Sequence, residues 1–277
     1  MFYLLGVAVL VAVVALVFVT IPFFFQWLAE EDILFTTVKE GTTKAIVRGK
    51  SFERFIMSFE GYHLNDPSKK RWHRPDKPDW EVLYHGMGNP DGFPEDDRLY
   101  DDRSWWLRPL GLYWVGVPWA YSVYVYGFEW NETMTDEGGK EKILPRAEAT
   151  DFVFVADFTY AIETDGAETQ DRLPTDELTL VTVAIRNPYR ALFSGEDWMR
   201  RVTAAINRLV RDFVGGKSFE ELISANLSRF SRDIVGLTKK LPNDEPAPAP
   251  RGLGGRYGVV IRMADLQTIE LSGVAHE

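Results

Sequence analysis

The sequence has no cysteine and no charged side chain before Glu30. The lack of cysteine excludes a disulfide framework, a thiol nucleophile and a thiolate metal site. Basic residues are in the minority, because 31 Lys and Arg stand against 41 Asp and Glu and give a formal net charge of −10. Nucleic-acid binding requires a basic surface, so we expect no nucleic-acid partner. A length of 277 residues indicates one or two domains.

The uncharged N-terminal segment has the length of a membrane span. Phe2 to Leu28 carries no charge, and a span requires about 20 apolar residues. A cleaved signal peptide fits poorly, since no Lys or Arg precedes the apolar run and no small-residue cleavage site follows it. We predict a transmembrane helix over residues 1–28. Its expected anchor residues are Leu5, Val9, Val13, Leu16, Phe18, Phe24 and Trp27.

The charges that follow this segment indicate its orientation. Lys39, Lys44, Arg48 and Lys50 come after it, whereas the other side offers only the α-amino group. Lys and Arg close to a span favour the cytoplasmic side of the membrane. We therefore expect a single-pass membrane protein whose C-terminal part is cytoplasmic.

The remainder of the chain predicts strands, then two helices, then a final strand. Extended structure is expected over residues 35–59. The first helix has a predicted capping box at Ser194 and Asp197, and the second has one at Ser218 and Glu221. This order predicts the α+β class. The apolar stripe of the first helix is predicted to be Trp198, Val202, Ala205, Leu209 and Phe213.

The sequence contains no complete catalytic or metal-binding motif. The GKS tripeptides at Gly49 and Gly216 lack the earlier glycine that a phosphate-binding loop requires. No two of the four histidines share a helical face; they are His63, His73, His85 and His276. We expect no enzymatic activity, no cofactor and no metal ion. An acidic loop fits a solvated surface, although paired carboxylates would leave a hydrolase open; it contains Asp96, Asp97, Asp101 and Asp102.

Residues 62–108 differ from their surroundings, because they are rich in Trp, Pro and charged residues without a sustained period. We interpret them as an insertion. Exposed tryptophans can stack on sugars, anchor in a bilayer interface or form a protein contact. The candidate interaction surface of this insertion consists of Trp72, Trp80, Trp105 and Trp106.

Five segments, in this order after the membrane segment, resemble the SPFH (band 7) superfamily, which includes stomatins, prohibitins and flotillins. Each segment is similar to a strand pair, strand, turn or helix of that family. They are VKEGTTKAIVRGK (Val38–Lys50), RPLGLYWVGVPWAYSVYVYGFEW (Arg108–Trp130), ETQDRLPTDELTLVTVAIRNPYRALF (Glu168–Phe193), DWMRRVTAAINRLVRDFVGGKSFEELIS (Asp197–Ser224) and YGVVIRMADLQTIEL (Tyr257–Leu271).

The resemblance implies an SPFH-like domain, an antiparallel sheet with packed helices, formed by residues 35–61 and 109–272. It also implies a membrane scaffold without catalysis, because family members pack into large rings or cages around a membrane patch. A large homo-oligomer, the lipid bilayer and a membrane protease or channel client are the expected partners. The long Ala/Glu-rich helix of the family has no counterpart before Glu277. The alternative is a membrane-tethered module that holds glycan or lipid through the Trp-rich insertion.

Overall fold

The computed structural model describes residues 14, 16, 19–135, 141–194, 197–224, 228–239 and 252–272. This part of the chain contains both helices and strands, so the predicted α+β class is confirmed. The chain divides into two compact units. Unit 1 comprises Met1–His63 with Tyr84–Val125, and unit 2 comprises Leu64–Leu83 with Tyr126–Glu277.

Helix α1 spans residues 19–30, at the end of the uncharged segment. Among the residues that the structure describes, no helix is both long and apolar enough to cross a membrane. Three of the expected anchor residues, Leu16, Phe24 and Trp27, are helical. The other four lie outside the described residues, and they are Leu5, Val9, Val13 and Phe18.

Unit 1 is built on short antiparallel strand pairs. Strand β1 pairs with β6, and β2 pairs with β3 on one edge and with β7 on the other. The extended structure predicted for residues 35–59 is confirmed, because β1, β2 and β3 fall within it. The strands up to residue 125 are β1 (Phe35–Thr36), β2 (Thr42–Arg48), β3 (Ser51–Ser58), β4 (Tyr62–Leu64), β5 (Val82–Tyr84), β6 (Tyr113–Trp114) and β7 (Tyr121–Val123).

Unit 2 contains a hairpin and a three-stranded antiparallel sheet. Strands β8 and β9 form the hairpin, and β12 is the central strand between β11 and β13. One side of β12 is buried against the helices, with Val181, Val183 and Ile185 in the core. The strands of this unit are β8 (Tyr126–Thr135), β9 (Glu141–Thr150), β10 (Val153–Phe154), β11 (Phe158–Glu168), β12 (Pro174–Ile185) and β13 (Val259–Leu271).

Five helices follow α1 in the described part of the chain, and all of them belong to unit 2. The Asn187 side chain accepts a bond from the Arg190 N–H and begins the first of them. Gly258 closes this corner, since its carbonyl accepts bonds from the N–H groups of Arg186 and Asn187. The helices are α2 (Pro188–Phe193), α3 (Trp198–Gly215), α4 (Phe219–Ile223), α5 (Ser228–Gly236) and α6 (Gly252–Tyr257).

Two predictions about helix caps have different outcomes. The capping box at Ser218 and Glu221 is confirmed, because each side chain accepts a bond from the backbone N–H of the other residue. The box predicted at Ser194 and Asp197 is wrong. Ser194 ends α2, and Asp197 precedes α3 in a left-handed conformation without a side-chain cap.

The predicted apolar stripe of α3 is rotated from the buried face. Trp198 and Val202 are buried as predicted, but Leu209 and Phe213 are only partly buried. The fully buried stripe consists of Val202, which both stripes share, and of Ile206, Val210 and Val214. Adjacent apolar pairs at 209–210 and 213–214 allow either stripe at helical spacing, so the periodicity alone does not choose between them.

The burial of α3 predicts different costs for two truncations. Ile206→Ala should lower the free energy of unfolding by about 2–5 kcal/mol, because it leaves a cavity in a closed core. Leu209→Ala should cost distinctly less, since its side chain is partly exposed already. Thermal unfolding of the full chain in mild detergent measures both. A larger loss of unfolding free energy for Leu209→Ala than for Ile206→Ala would support the buried stripe predicted from the sequence.

Candidate functional site

Aromatic rings surround the last turns of α1 in unit 1. The Phe25 ring lies 5.3 Å from that of Phe35 and 6.2 Å from that of Trp106. Phe35 in turn contacts Trp106 at 6.0 Å and Trp114 at 5.3 Å, both edge to face. We call these four residues the aromatic collar. Phe35 belongs to a buried apolar cluster with Leu28, Ala29, Leu107 and Leu112, and Phe25 packs against this cluster.

Short backbone elements place these rings together. The register of β1 with β6 sets Phe35 opposite Trp114. A 3₁₀ turn over Arg108–Leu110 ends at Gly111, whose φ of +68° favours glycine. This turn brings the Leu112 N–H to the Leu107 carbonyl at 3.2 Å, and both side chains are buried. The collar is therefore fixed by unit 1 rather than by α1 alone.

The outer surface of this region is apolar. Trp106 is 40% exposed and Trp114 is 44% exposed, and Trp105 beside them is 82% exposed. Trp106 and Trp114 share Phe35 as a neighbour, and exposed apolar patches mark contact sites for a protein, ligand or membrane. Along α1 and just before it, further large apolar side chains are exposed, and they are Val14, Leu16, Val19, Ile21, Phe23, Phe24 and Trp27.

The four tryptophans of the candidate interaction surface are divided between the two units. Trp105 and Trp106 belong to unit 1, whereas Trp72 and Trp80 belong to unit 2. Trp72 and Trp80 are both partly buried. Their loop is held by the buried Asn65, whose amide group donates to the carbonyls of Arg74, Lys77 and Pro78.

Charged groups in unit 1 close to the collar have partners within the protein. Lys44 Nζ lies 3.2 Å from Asp32 Oδ1, and it also donates to Thr36 Oγ1. Asp101 accepts two bonds from the Arg103 guanidinium and lies 3.1 Å from Arg108 Nε. Burial opposes ionisation of Asp101, but its bonds with Arg103 outweigh that effect and hold its pKa below the usual range. Asp32 and Asp101 are thereby compensated by basic partners within unit 1.

A second polar cluster, in the interior of unit 1, joins two histidines to an aspartate. His63 Nδ1 lies 3.1 Å from His85 Nδ1, and His85 Nε2 lies 2.5 Å from Asp97 Oδ1. Both imidazoles are nearly inaccessible, and both lie against the Tyr100 ring. Among the described residues, no group of three or more His, Cys, Asp or Glu side chains could hold a metal ion.

The hydrogen-bond partners suggest which ring nitrogen of each histidine carries a proton. Asp97 accepts from His85 Nε2–H, so His85 Nδ1 accepts from His63 Nδ1–H. His63 Nε2 is then an unprotonated acceptor, and no hydrogen-bond donor in the described structure reaches it. Burial, with the neighbouring His85, lowers the pKa of His63 to about 3. The sequence did not predict this pair, although each histidine follows a tyrosine within or beside a short strand.

The acidic residues that left a hydrolase open have structural roles. Asp96 accepts from the Arg98 N–H at the start of a 3₁₀ turn. Asp97 binds His85 and also accepts from the Gly61 N–H. Asp101 binds Arg103 and Arg108, as described above. These geometries account for Asp96, Asp97 and Asp101 as turn caps and hydrogen-bonding or ion-pair partners.

In unit 2, Glu177 is buried on the helix side of β12. The Thr175 hydroxyl lies within bonding distance of both the Ala167 carbonyl and Glu177 Oε1. A hydroxyl has one proton, so when Thr175 donates to Ala167 the bond to Glu177 requires a protonated carboxyl. The pKa of Glu177 is raised to about 7, chiefly by burial and also by the charges of Asp176 and Asp165, against the lowering effects of Thr175 and Arg211.

Comparison with known proteins gives no assignment for this chain. No family model matches it, and no curated protein sequence matches it. The resemblance to the SPFH superfamily therefore rests on the five sequence segments alone.

The His63 pair predicts a loss of stability in acid. The pKa of His63 lies below its ordinary 6.5, so the fold favours the neutral imidazole, and stability falls as the pH drops from 6.5 towards 3. The slope reaches at most about 1.4 kcal/mol per pH unit. His63→Gln, which keeps a donor for His85, should flatten this acid limb in unfolding measurements from pH 7 to pH 4. His73→Gln is the matched control, and an unchanged limb in His63→Gln would contradict the assignment.

Glu177 predicts the opposite dependence. Its pKa is raised from 4.5 to about 7, so the stability it contributes is complete below pH 4.5 and is lost as the pH rises through 7. Glu177→Gln should therefore stabilise the fold at pH 8 and make little difference at pH 4. Unfolding at both pH values measures this, with the exposed Glu148→Gln as the control for charge removal. Equal effects of Glu177→Gln at the two pH values would exclude a buried, protonated Glu177.

Proposed function

We propose that this chain is a membrane-anchored, non-enzymatic scaffold of the SPFH type. In this proposal the N-terminal segment crosses the bilayer once, and the two units lie on the cytoplasmic side. Copies of the chain associate into a large ring or cage that organises a membrane patch and its protein clients. A membrane protease or channel is the expected kind of client, on the model of the family that the sequence resembles.

The observation that carries this proposal is the exposed apolar surface of α1. A short helix of a water-soluble domain has a polar side, but α1 exposes Ile21, Phe23 and Phe24. This helix ends a run from Phe2 to Leu28 without a charged residue. A run of that length matches the roughly 20 residues that cross a hydrocarbon core. A bilayer is the environment that removes these side chains from water.

The collar attaches the proposed anchor to the folded part of unit 1. Because Phe25 packs on Phe35 and Trp106, α1 is joined to unit 1 by ring contacts as well as by the chain. An anchor held in this way fixes unit 1 close to the bilayer surface. Copies confined to one surface meet at a high effective concentration, so modest pairwise contacts suffice for a large assembly.

The exposed tryptophans also favour one form of the alternative function. Within unit 1, the Trp106 ring contacts that of Phe25 on α1, and Trp105 beside it in the chain is 82% exposed. This arrangement favours lipid over glycan as the ligand of Trp105 and Trp106.

The particle mass of the full chain in mild detergent tests the scaffold proposal. Negative-stain electron microscopy with light scattering should show rings or cages of many subunits. Extraction in two or three gentle detergents controls for dissociation by any one of them. Monomers or dimers in all of them would contradict a self-assembling scaffold.

A further inference from the structure

We propose that the exposed rings of the collar, Trp106 and Trp114, together with Trp105 and Leu110, form a bilayer-contact surface through which unit 1 rests at the boundary between lipid headgroups and acyl chains. This inference rests on the proposed membrane anchoring and adds a second contact to it. The partner is the lipid bilayer, and the contact is made by the folded unit itself, in addition to the N-terminal segment.

The position of Trp106 relative to α1 is the first argument. The Trp106 ring lies 6.2 Å from that of Phe25, which is five residues before the end of α1 at Glu30. With a rise of about 1.5 Å per residue, that point is only 7–8 Å from the helix end. Wherever α1 enters the hydrocarbon, the Trp106 ring therefore lies within 6.2 Å of the depth of the Phe25 ring.

The chemistry of the exposed side chains is the second argument. Trp105, Trp106 and Trp114 present indole rings, which combine an apolar body with one N–H donor. Such rings concentrate at the headgroup level of membranes. Leu110, 37% exposed in the neighbouring 3₁₀ turn, adds a purely apolar side chain to this surface.

The surrounding charges decide which lipid surface fits. Asp32 is paired with Lys44, and Asp101 is paired with Arg103 and Arg108. No basic patch is seen among the described residues here, because Glu30 and Glu31 are exposed at the end of α1 and Arg54 donates to the Trp114 carbonyl. The contact should therefore depend on apolar burial, and neutral phosphatidylcholine should serve at least as well as anionic lipid.

The absence of cysteine makes a direct test available, because one introduced cysteine labels one site. Leu110→Cys reports on the proposed surface, and Met87→Cys, 84% exposed in the same unit, is the control outside it. Each full-length variant is labelled with the fluorophore NBD and reconstituted in phosphatidylcholine vesicles. Reduction by aqueous dithionite and quenching by nitroxide-bearing lipids are then measured for both sites.

The Leu110 label should be reduced several-fold more slowly than the Met87 label, and lipid nitroxides should quench it more strongly. A Leu110 label that is as accessible as the Met87 label, in chains that float with the vesicles, would overturn the surface contact and leave the anchor intact. Equal protection of the Leu110 label in detergent and in vesicles, without nitroxide quenching, would assign the surface to a second copy of the chain. Failure of the chain to float with vesicles would overturn the anchoring and this inference together.

Discussion

The packing of Phe25 against Phe35 and Trp106 is the contact on which the proposed arrangement of this protein depends. It joins the end of an uncharged N-terminal segment to strand β1 of unit 1 and to Trp106, just before the 3₁₀ turn at Arg108–Leu110. Together with the burial of Leu28 and Ala29, this packing fixes the orientation of α1 relative to the rest of unit 1. In the arrangement that we propose, it also brings a surface of unit 1 to the membrane.

Each unit also contains a buried ionisable group that the fold keeps neutral. His63 in unit 1 is held below its ordinary pKa, and Glu177 in unit 2 is held above its own. Their effects on stability have opposite signs between pH 4.5 and 6.5, because the first loses stability in acid and the second gains it. If the stability of the whole chain changed little with pH, these two opposite contributions could therefore still be present. Substituting His63 and Glu177 one at a time separates them.

The sequence predicted the fold class and the early strands, but some side-chain positions required the structure. Periodicity could not distinguish Leu209 from Val210 on α3, because both stripes have helical spacing and only the packing of α3 on β11 selects one. The contact of His63 with His85 joins residues 22 apart through two short strands, and no local pattern encodes it. The sequence predicted part of the exposed aromatic surface, since Trp105 and Trp106 belong to the predicted candidate interaction surface. It did not predict Trp114, which lies beside them because β1 and β6 pair with Phe35 opposite Trp114.

The central claim is that the N-terminal segment lies within a bilayer, and alkaline extraction tests it most directly. Membranes from cells that express the full chain are washed in carbonate at high pH, which releases peripheral proteins and retains those that span the bilayer. We expect the chain to stay in the sedimented membranes and to be released by detergent alone. Its appearance in the alkaline supernatant would contradict a transmembrane anchor, and with it the scaffold that we propose.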